Sequence, residues 1–241
     1  MGKLAEAVIV SGEYDFLAEN LSKYYNGQII KTQANPYLDK RVAFHPDMQF
    51  IDFGSDVFIL KGSEYLIEIF HSLGKTIHIT SQPNSQYPYD VLCNGKLIKN
   101  NFVCNKKTIF CGILEYATKK EYNVIDVKQG YTGCSILTVN ESTVITGDAG
   151  LNRILPSKGL ISIFVDNRGI SLPGYSNGFI GGSGGFYGNS HACLTGVLNS
   201  NEDMKQVQNA FISNGVKLVA LTDKPMIDVG GIIPIYKNYE V

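Results

Sequence analysis

Short apolar runs bounded by turn residues alternate along this chain with stretches whose apolar positions recur at helical spacing. The clearest strand-like runs cover residues 7–10, 56–60, 101–104, 143–146 and 192–195. Helical patterns follow. Residues 63–73 place Leu66, Ile67, Ile69, Phe70 and Leu73 behind Ser63 as N-cap, and residues 201–213 place Met204, Val207, Phe211 and Ile212 ahead of Gly215. The N-terminal copy has its helix over residues 13–25. Each helix feeds another strand, at residues 28–32, 75–80, 123–127, 160–165 and 216–221.

A shared six-residue frame precedes these parts. Tyr87-Pro-Tyr-Asp-Val-Leu92, Tyr131-Thr-Gly-Cys-Ser-Ile136 and Tyr175-Ser-Asn-Gly-Phe-Ile180 begin 44 residues apart, each reading aromatic, three small or polar residues, then a strand start. His45-Pro-Asp-Met-Gln-Phe50 fits it upstream, and Asp228-Val-Gly-Gly-Ile-Ile233 downstream. A fixed period of this length signals a repeat architecture. The unit is β-β-α-β, and five copies are expected. The first copy lacks its leading strand, which residues 232–236 supply from the other end of the chain, closing a ring that leaves no repeat uncapped. Alternating β and α elements also suit a doubly wound α/β sheet. Such a sheet gives no reason for one frame to return at a constant interval, so a single α/β domain of five blades over residues 1–241 is the expectation.

Composition removes several function classes. With 44% apolar and 18% charged residues and a net charge of −1, the sequence has neither a disorder nor a membrane signature. No apolar run reaches the ~18 residues of a spanning helix, and no charged n-region with a following h-region opens the chain, so a cytoplasmic address is expected. The balance of 21 basic and 22 acidic residues argues against nucleic acid as partner. Five cysteines without a CxxC, and four histidines away from zinc-finger spacing, read as reduced thiols and no metal. No cofactor is expected.

The candidate chemistry is scattered. The run Gly181-Gly-Ser-Gly-Gly-Phe-Tyr-Gly188 is either a long hairpin between two strands or a set of clustered amides for an anion. It is not a dinucleotide fingerprint, because no helix opens after it. His191 and Cys193, two apart on a strand, share a face. They read either as a thiol-imidazole pair, the proposed catalytic residues of an unorthodox hydrolase, or as a loop histidine and a buried small residue. Cys134 has the same two readings, ligand contact or axial packing. Asp47, Asp90 and Asp228 enter the leading strands of three copies and would turn carboxylates toward a central channel, where paired carboxylates clamp a guanidinium or amine. Turn chemistry explains the same residues. Asn177, in the third aromatic frame, joins this ligand-facing set.

Five β-β-α-β units of this size resemble the pentein fold, the α/β propeller of guanidino-group-modifying enzymes and of a ribosome anti-association factor. Asp90-Val-Leu92 is similar to the segment bearing the substrate-binding Asp of the dimethylarginine dimethylaminohydrolases. Thr132-Gly-Cys-Ser135 is similar to the segment after their catalytic His, and Asp228-Val-Gly-Gly231 to the entry of the strand with their nucleophilic Cys. The resemblance implies a carboxylate holding a guanidinium, a thiolate attacking it and a His moving protons. Asp90 matches the carboxylate. Gln129 stands where the His belongs, and Ile232 and Ile233 where the Cys belongs. A pentein holding a small guanidino, amidino or amino-acid-like ligand through Asp90, Asp47 and Gln129, without the usual catalysis, is therefore expected. The alternatives are a hydrolase of amidine C–N bonds using Cys193 and His191, and a macromolecule-binding ring.

Overall fold

The computed structural model describes residues 5–237. The elements run β1 (Ala7–Val10), α1 (Asp15–Leu21), β2 (Gln28–Lys31), α2 (Pro46–Gln49), β3 (Phe50–Asp52), β4 (Asp56–Ile59), α3 (Ile67–Ser72), β5 (Thr76–Ile79), β6 (Lys96–Ile98), β7 (Asn101–Cys104), α4 (Cys111–Lys119) and β8 (Asn123–Asp126). They continue with α5 (Thr132–Ser135), β9 (Ile136–Thr138), β10 (Thr143–Thr146), α6 (Ala149–Ile154), β11 (Ile161–Phe164), β12 (Gly184–Gly188), β13 (His191–Leu194), α7 (Asn201–Ser213), β14 (Lys217–Ala220) and β15 (Ile233–Ile235).

Among the described residues, fifteen strands form five separate three-stranded sheets: β15-β1-β2, β3-β4-β5, β6-β7-β8, β9-β10-β11 and β12-β13-β14. In each, the middle strand runs antiparallel to the leading strand and parallel to the trailing one. A parallel pair needs a crossover. Helices α1, α3, α4, α6 and α7 supply the five crossovers between middle and trailing strands. The two ends of the chain share one sheet, with Ala7 opposite Ile235 and Ile9 opposite Ile233.

The middle strands read as continuous apolar runs because they are buried on both faces; β1, β4 and β10 are buried at every position. Trailing strands β5 and β11 expose their terminal residues at the outer edge. Helix α7 shows how the crossovers are fixed. Ser200 caps it by accepting from the Asp203 amide, and Val207, Ala210 and Phe211 bury one face. Five apolar clusters each bridge two sheets. Phe53 and Phe58 meet Phe102 and Ile113; Ile98 and Ile125 meet Ile136 and Val144; Ile145 meets Leu194 and Phe211. Val8 and Leu17 meet Tyr187 and Cys193, and Ile9 and Ile235 meet Val57 and Phe70.

The repeat is looser than the aromatic frames suggest. Middle strands begin at intervals of 42 to 49 residues rather than at a constant 44. Leading strands begin five residues after His45, Tyr131 and Asp228, but nine after Tyr87 and Tyr175. The last two frames therefore end in loops, and Leu92 and Ile180 do not start strands. The glycine run forms the first arm of a hairpin between β12 and β13, one of the two readings that the sequence offered. It comprises a 3-10 turn (Gly181–Ser183) and the leading strand β12, and at Gly181, Gly184 and Gly185 neighbouring backbone lies too close for a Cβ. A Cβ on Gly182 would lie 1.9 Å from Asp228 Oδ1.

Candidate functional site

A cavity of about 390 Å³ is lined by residues of all five leading strands or the turns before them, among them Asp47, Lys96, Thr138, Gly185 and Ile233. That is the usual size of a small-molecule site (~300–1,000 Å³). It extends to Gly54, an exposed turn glycine, and Tyr236, where the leading strands end. Lys75 also lines it, but its ammonium is saturated by Asp52 (2.9 and 3.0 Å) and the Gly54 carbonyl (2.7 Å).

Asp47 sits in the short helix α2, whose amides link it to the far side of the fold: its N–H donates to the Gly230 carbonyl at 3.1 Å, and its own carbonyl accepts from Asn94 Nδ2 at 3.1 Å. Its two carboxylate oxygens are buried and have no hydrogen-bond partner among the described residues, although the Cys134 thiol lies beside them. Burial holds this carboxyl above the usual range against the pull of His45, Cys134 and Lys96. A buried carboxylate is expensive, and the raised pKa favours its neutral form.

Three further groups converge on Asp47: His45 from its own segment, and Asp228 and Cys134 from other sheets. His45 Nδ1 lies 3.8 Å from Asp228 Oδ1, both residues being 1% exposed, and His45 Nε2 is buried without a partner. Asp228 accepts from the Phe179 amide at 2.8 Å and the Gly230 amide at 3.1 Å. Burial and the nearby Asp47 raise its pKa to about 6, opposed by His45 and those amides. Gly230, at φ +76°, permits this approach; a Cβ there would sit 2.4 Å from that of His45. Cys134 is held by Asn94, whose Nδ2 reaches Sγ at 3.1 Å while Oδ1 accepts from the Gly133 and Cys134 amides. Burial, then the charges of Asp47 and Asp228, push the Cys134 thiol well above its ordinary range.

Asp90 belongs to a second, outer group. It is 3% exposed, one oxygen accepts from Tyr131 Oη at 2.6 Å, and the other is buried without a partner. Burial raises its pKa, with the Asp39 charge adding to the rise and the Tyr131 hydroxyl opposing it. Tyr87, Tyr131 and Phe179 stack in a row, with centroids 5.7 and 6.1 Å apart. Arg41 caps Tyr175 at 4.3 Å and donates to the Gly174 carbonyl, so that the segment carrying Leu38 and Val42, which packs in one cluster with Cys134 and Leu172, is tethered over the inner group.

Residues 9–233 match a family described as a family of unknown function, DUF6873. The chain belongs to that family. No curated protein matches it. Solved structures resembling this DUF6873 chain include an amidinotransferase of the saxitoxin pathway from Microseira wollei, at TM-score 0.61 and 8% identity over 100% of this chain and 97% of that one. An agmatine deiminase from C. jejuni superposes at 0.61 with 7% identity, covering 99% and 95% of the two chains. DDAH from Pseudomonas aeruginosa, complexed with citrulline, superposes at 0.54 with 8% identity, covering 90% and 92%. At such identities the likeness concerns the fold, which is that of the pentein superfamily.

The other residues singled out in the DUF6873 sequence lie elsewhere or are engaged. Gln129 donates to Asp148 at 2.8 Å and accepts from the Tyr131 amide, which leaves it a loop brace. Asn177 bonds only its neighbours Ser176 and Gly178. Cys193 is fully buried between Val8, Leu17 and Tyr187, and burial alone raises its pKa, with no contribution from His191. His191 instead faces the Tyr187 ring and Ser190. The expected thiol-imidazole pair is not formed: the environment shifts the thiol opposite to what a nucleophile needs. Sequence reasoning missed His45 and Lys96. His45 had one usable signal, its position in the same frame as Tyr131 and Asp228. Among the described residues no cluster could hold a metal ion, and no helix is long and apolar enough to cross a membrane.

Proposed function

We propose that this DUF6873 protein binds a small guanidino, amidino or amine cation at the centre of a closed ring of five blades formed by a single domain, and does so without thiol-based turnover. The observation that carries the reading is Asp47: two buried carboxylate oxygens without partners, on the wall of a cavity to which every leading strand contributes. Asp228 supplies a second carboxylate nearby, which feels the charge of Asp47. The ring is supported by that shared cavity and by apolar clusters that join each sheet to the next and the fifth back to the first. Guanidino chemistry is in keeping with the fold's solved neighbours, an amidinotransferase, an agmatine deiminase and DDAH with citrulline.

Absence of turnover follows from the thiols. Cys134 and Cys193 are both held protonated by burial, and only the thiolate is a nucleophile. One observation favours a second reading, hydrolysis of an amidine C–N bond: Cys134, His45, Asp47 and Asp228 share one site. Ammonia release from agmatine or arginine, abolished in Cys134→Ser, would establish it.

Thermal unfolding of wild type and Asp47→Asn with agmatine, arginine and methylated arginines tests the binding reading. A ligand at 100-fold excess over Kd adds ~2.7 kcal/mol to stability, or roughly 5–10 °C for a chain of this length. The expected result is a shift with at least one compound that Asp47→Asn removes. Shifts identical in wild type and variant, or none with any cation, would overturn the proposal.

A further inference from the structure

The segments that lead into β3, β6 and β9 meet on one side chain. Asn94, 1% exposed, stands two residues before β6, as Met48 does before β3 and Cys134 before β9. Its Nδ2 donates to the Asp47 carbonyl (3.1 Å), Met48 Sδ (3.2 Å) and Cys134 Sγ (3.1 Å), and its Oδ1 accepts from the Gly133 amide (2.7 Å) and the Cys134 amide (3.3 Å). These partners fix the orientation of the side-chain amide, because the reverse would set its NH2 against two backbone N–H groups. Asn94 is itself pinned, its own backbone N–H donating to the Val91 carbonyl at 3.0 Å. The fit is close: a Cβ on Gly133 would lie 3.2 Å from Asn94 Oδ1. In the other two copies the equivalent residues are Gly182 and Gly231, joined backbone to backbone at 2.8 Å, so Asn94 is the one amide side chain at this repeat position.

Asn94 stands behind the cavity rather than in it. The wall includes Asp47, Gly95 and Gly133 but not Asn94, Met48 or Cys134. Helices α2 and α5 are four residues each and neither is capped by a side chain, so their own geometry holds them weakly. We propose that Asn94 is a positioning residue of the ligand site: by gripping the Asp47 carbonyl and the α5 amides with one group, it sets how the Asp47 carboxylate meets the cavity and keeps the Cys134 thiol behind the wall. The inference rests on the cation-binding reading and adds a residue on which affinity depends without contact with the ligand.

Two readouts on the full chain test it. Calorimetric titration with agmatine, below the melting temperature of each variant, should show binding at least ~10-fold weaker in Asn94→Ala than in wild type. Asn105→Ala is the control. Asn105 also braces a loop with a buried amide, between the Lys128 carbonyl and the Lys107 amide, but does not line the cavity; its loss should lower the melting temperature and leave agmatine affinity unchanged. Independently of any ligand, iodoacetamide should label Cys134 at least ~10-fold faster in Asn94→Ala than in wild type, because the hold on α5 is lost, with Cys193 in the same sample unchanged. Asn94→Leu, which keeps side-chain size, serves should Asn94→Ala not fold. Agmatine affinity equal to wild type in the folded variant, or Cys134 labelling as slow as in wild type, overturns the positioning role. Failure of wild type to bind agmatine, arginine or methylated arginines overturns the cation reading instead, and the labelling comparison still decides whether Asn94 holds α5.

Discussion

Removing the charge of Asp47 should make the protein more stable. The carboxylate is buried without a hydrogen-bond partner, and its pKa lies above the ordinary range even with His45, Cys134 and Lys96 pulling it down, so the surroundings as a whole favour the neutral form. An unsatisfied buried polar group costs ~1–3 kcal/mol, more when charged. Asp47→Asn removes the charged part of that penalty and loses a favourable position in the first turn of α2, worth ~0.3–1 kcal/mol. The net expectation is a gain of ~1–2 kcal/mol at pH 8, about 2–8 °C in melting temperature for a chain of this size. The pH dependence separates this cause from others. A carboxyl whose folded pKa exceeds its unfolded value contributes most to stability when protonated in both states, and that contribution is lost as pH rises through the folded pKa. The advantage of Asp47→Asn should therefore be present at pH 8 and shrink toward zero near pH 4. Paired circular-dichroism melts at both pH values measure it. A variant less stable than wild type at pH 8, or a gain independent of pH, would refute the reasoning.

Four other outcomes follow from the same geometry. Asp228, at a pKa of about 6, should make stability fall as pH rises from 4 toward 6, and Asp228→Asn should flatten that slope in denaturant titrations. Under native conditions at pH 7, iodoacetamide should label exposed Cys111 well before buried Cys93, Cys104, Cys134 and Cys193, as read by mass spectrometry. Gly182→Ala forces a methyl against the Asp228 carboxylate, and should destabilise by at least ~1–3 kcal/mol in urea unfolding. Lys75→Met strands the buried Asp52 carboxylate and should lower stability by ~3–5 kcal/mol, while Asp52→Asn with Lys75→Met recovers part of it.

The β-β-α-β unit was legible in the sequence because of where its parts sit. Middle strands, buried on both faces, have to be apolar throughout, and all five begin within a residue of where the sequence places them. The strand shared by the two termini was legible for the same reason, since β1 is one of those buried runs and residues 232–236 offered it a partner. Leading strands were harder. They are three residues long except for β12, they line a cavity, and they are built from Gly, Lys and Thr as much as from Ile, so no hydrophobic period marks them. That is why the strand starts expected from the frames at Tyr87 and Tyr175 fall four residues early.

The site divides the same way. Asp47, Asp228 and Cys134 were visible from their shared position before leading strands, and they do meet. Asp90 was visible too, but its hydroxyl partner Tyr131 makes it part of an outer layer. His191 and Cys193 were drawn together by strand alternation alone, which says nothing of what covers them; Tyr187 and Leu17 do. His45 could have been found from its place in the shared frame, whereas Lys96 is a candidate only because separate sheets face one cavity, an arrangement that no local spacing encodes.

The most direct test of the central claim is a crystal structure of the protein grown with agmatine or 4-guanidinobutyrate. The account predicts guanidinium nitrogens at hydrogen-bond distance, ~2.7–3.2 Å, from the Asp47 carboxylate inside the cavity. A ligand seated elsewhere, with Asp47 facing only ordered water, would contradict it.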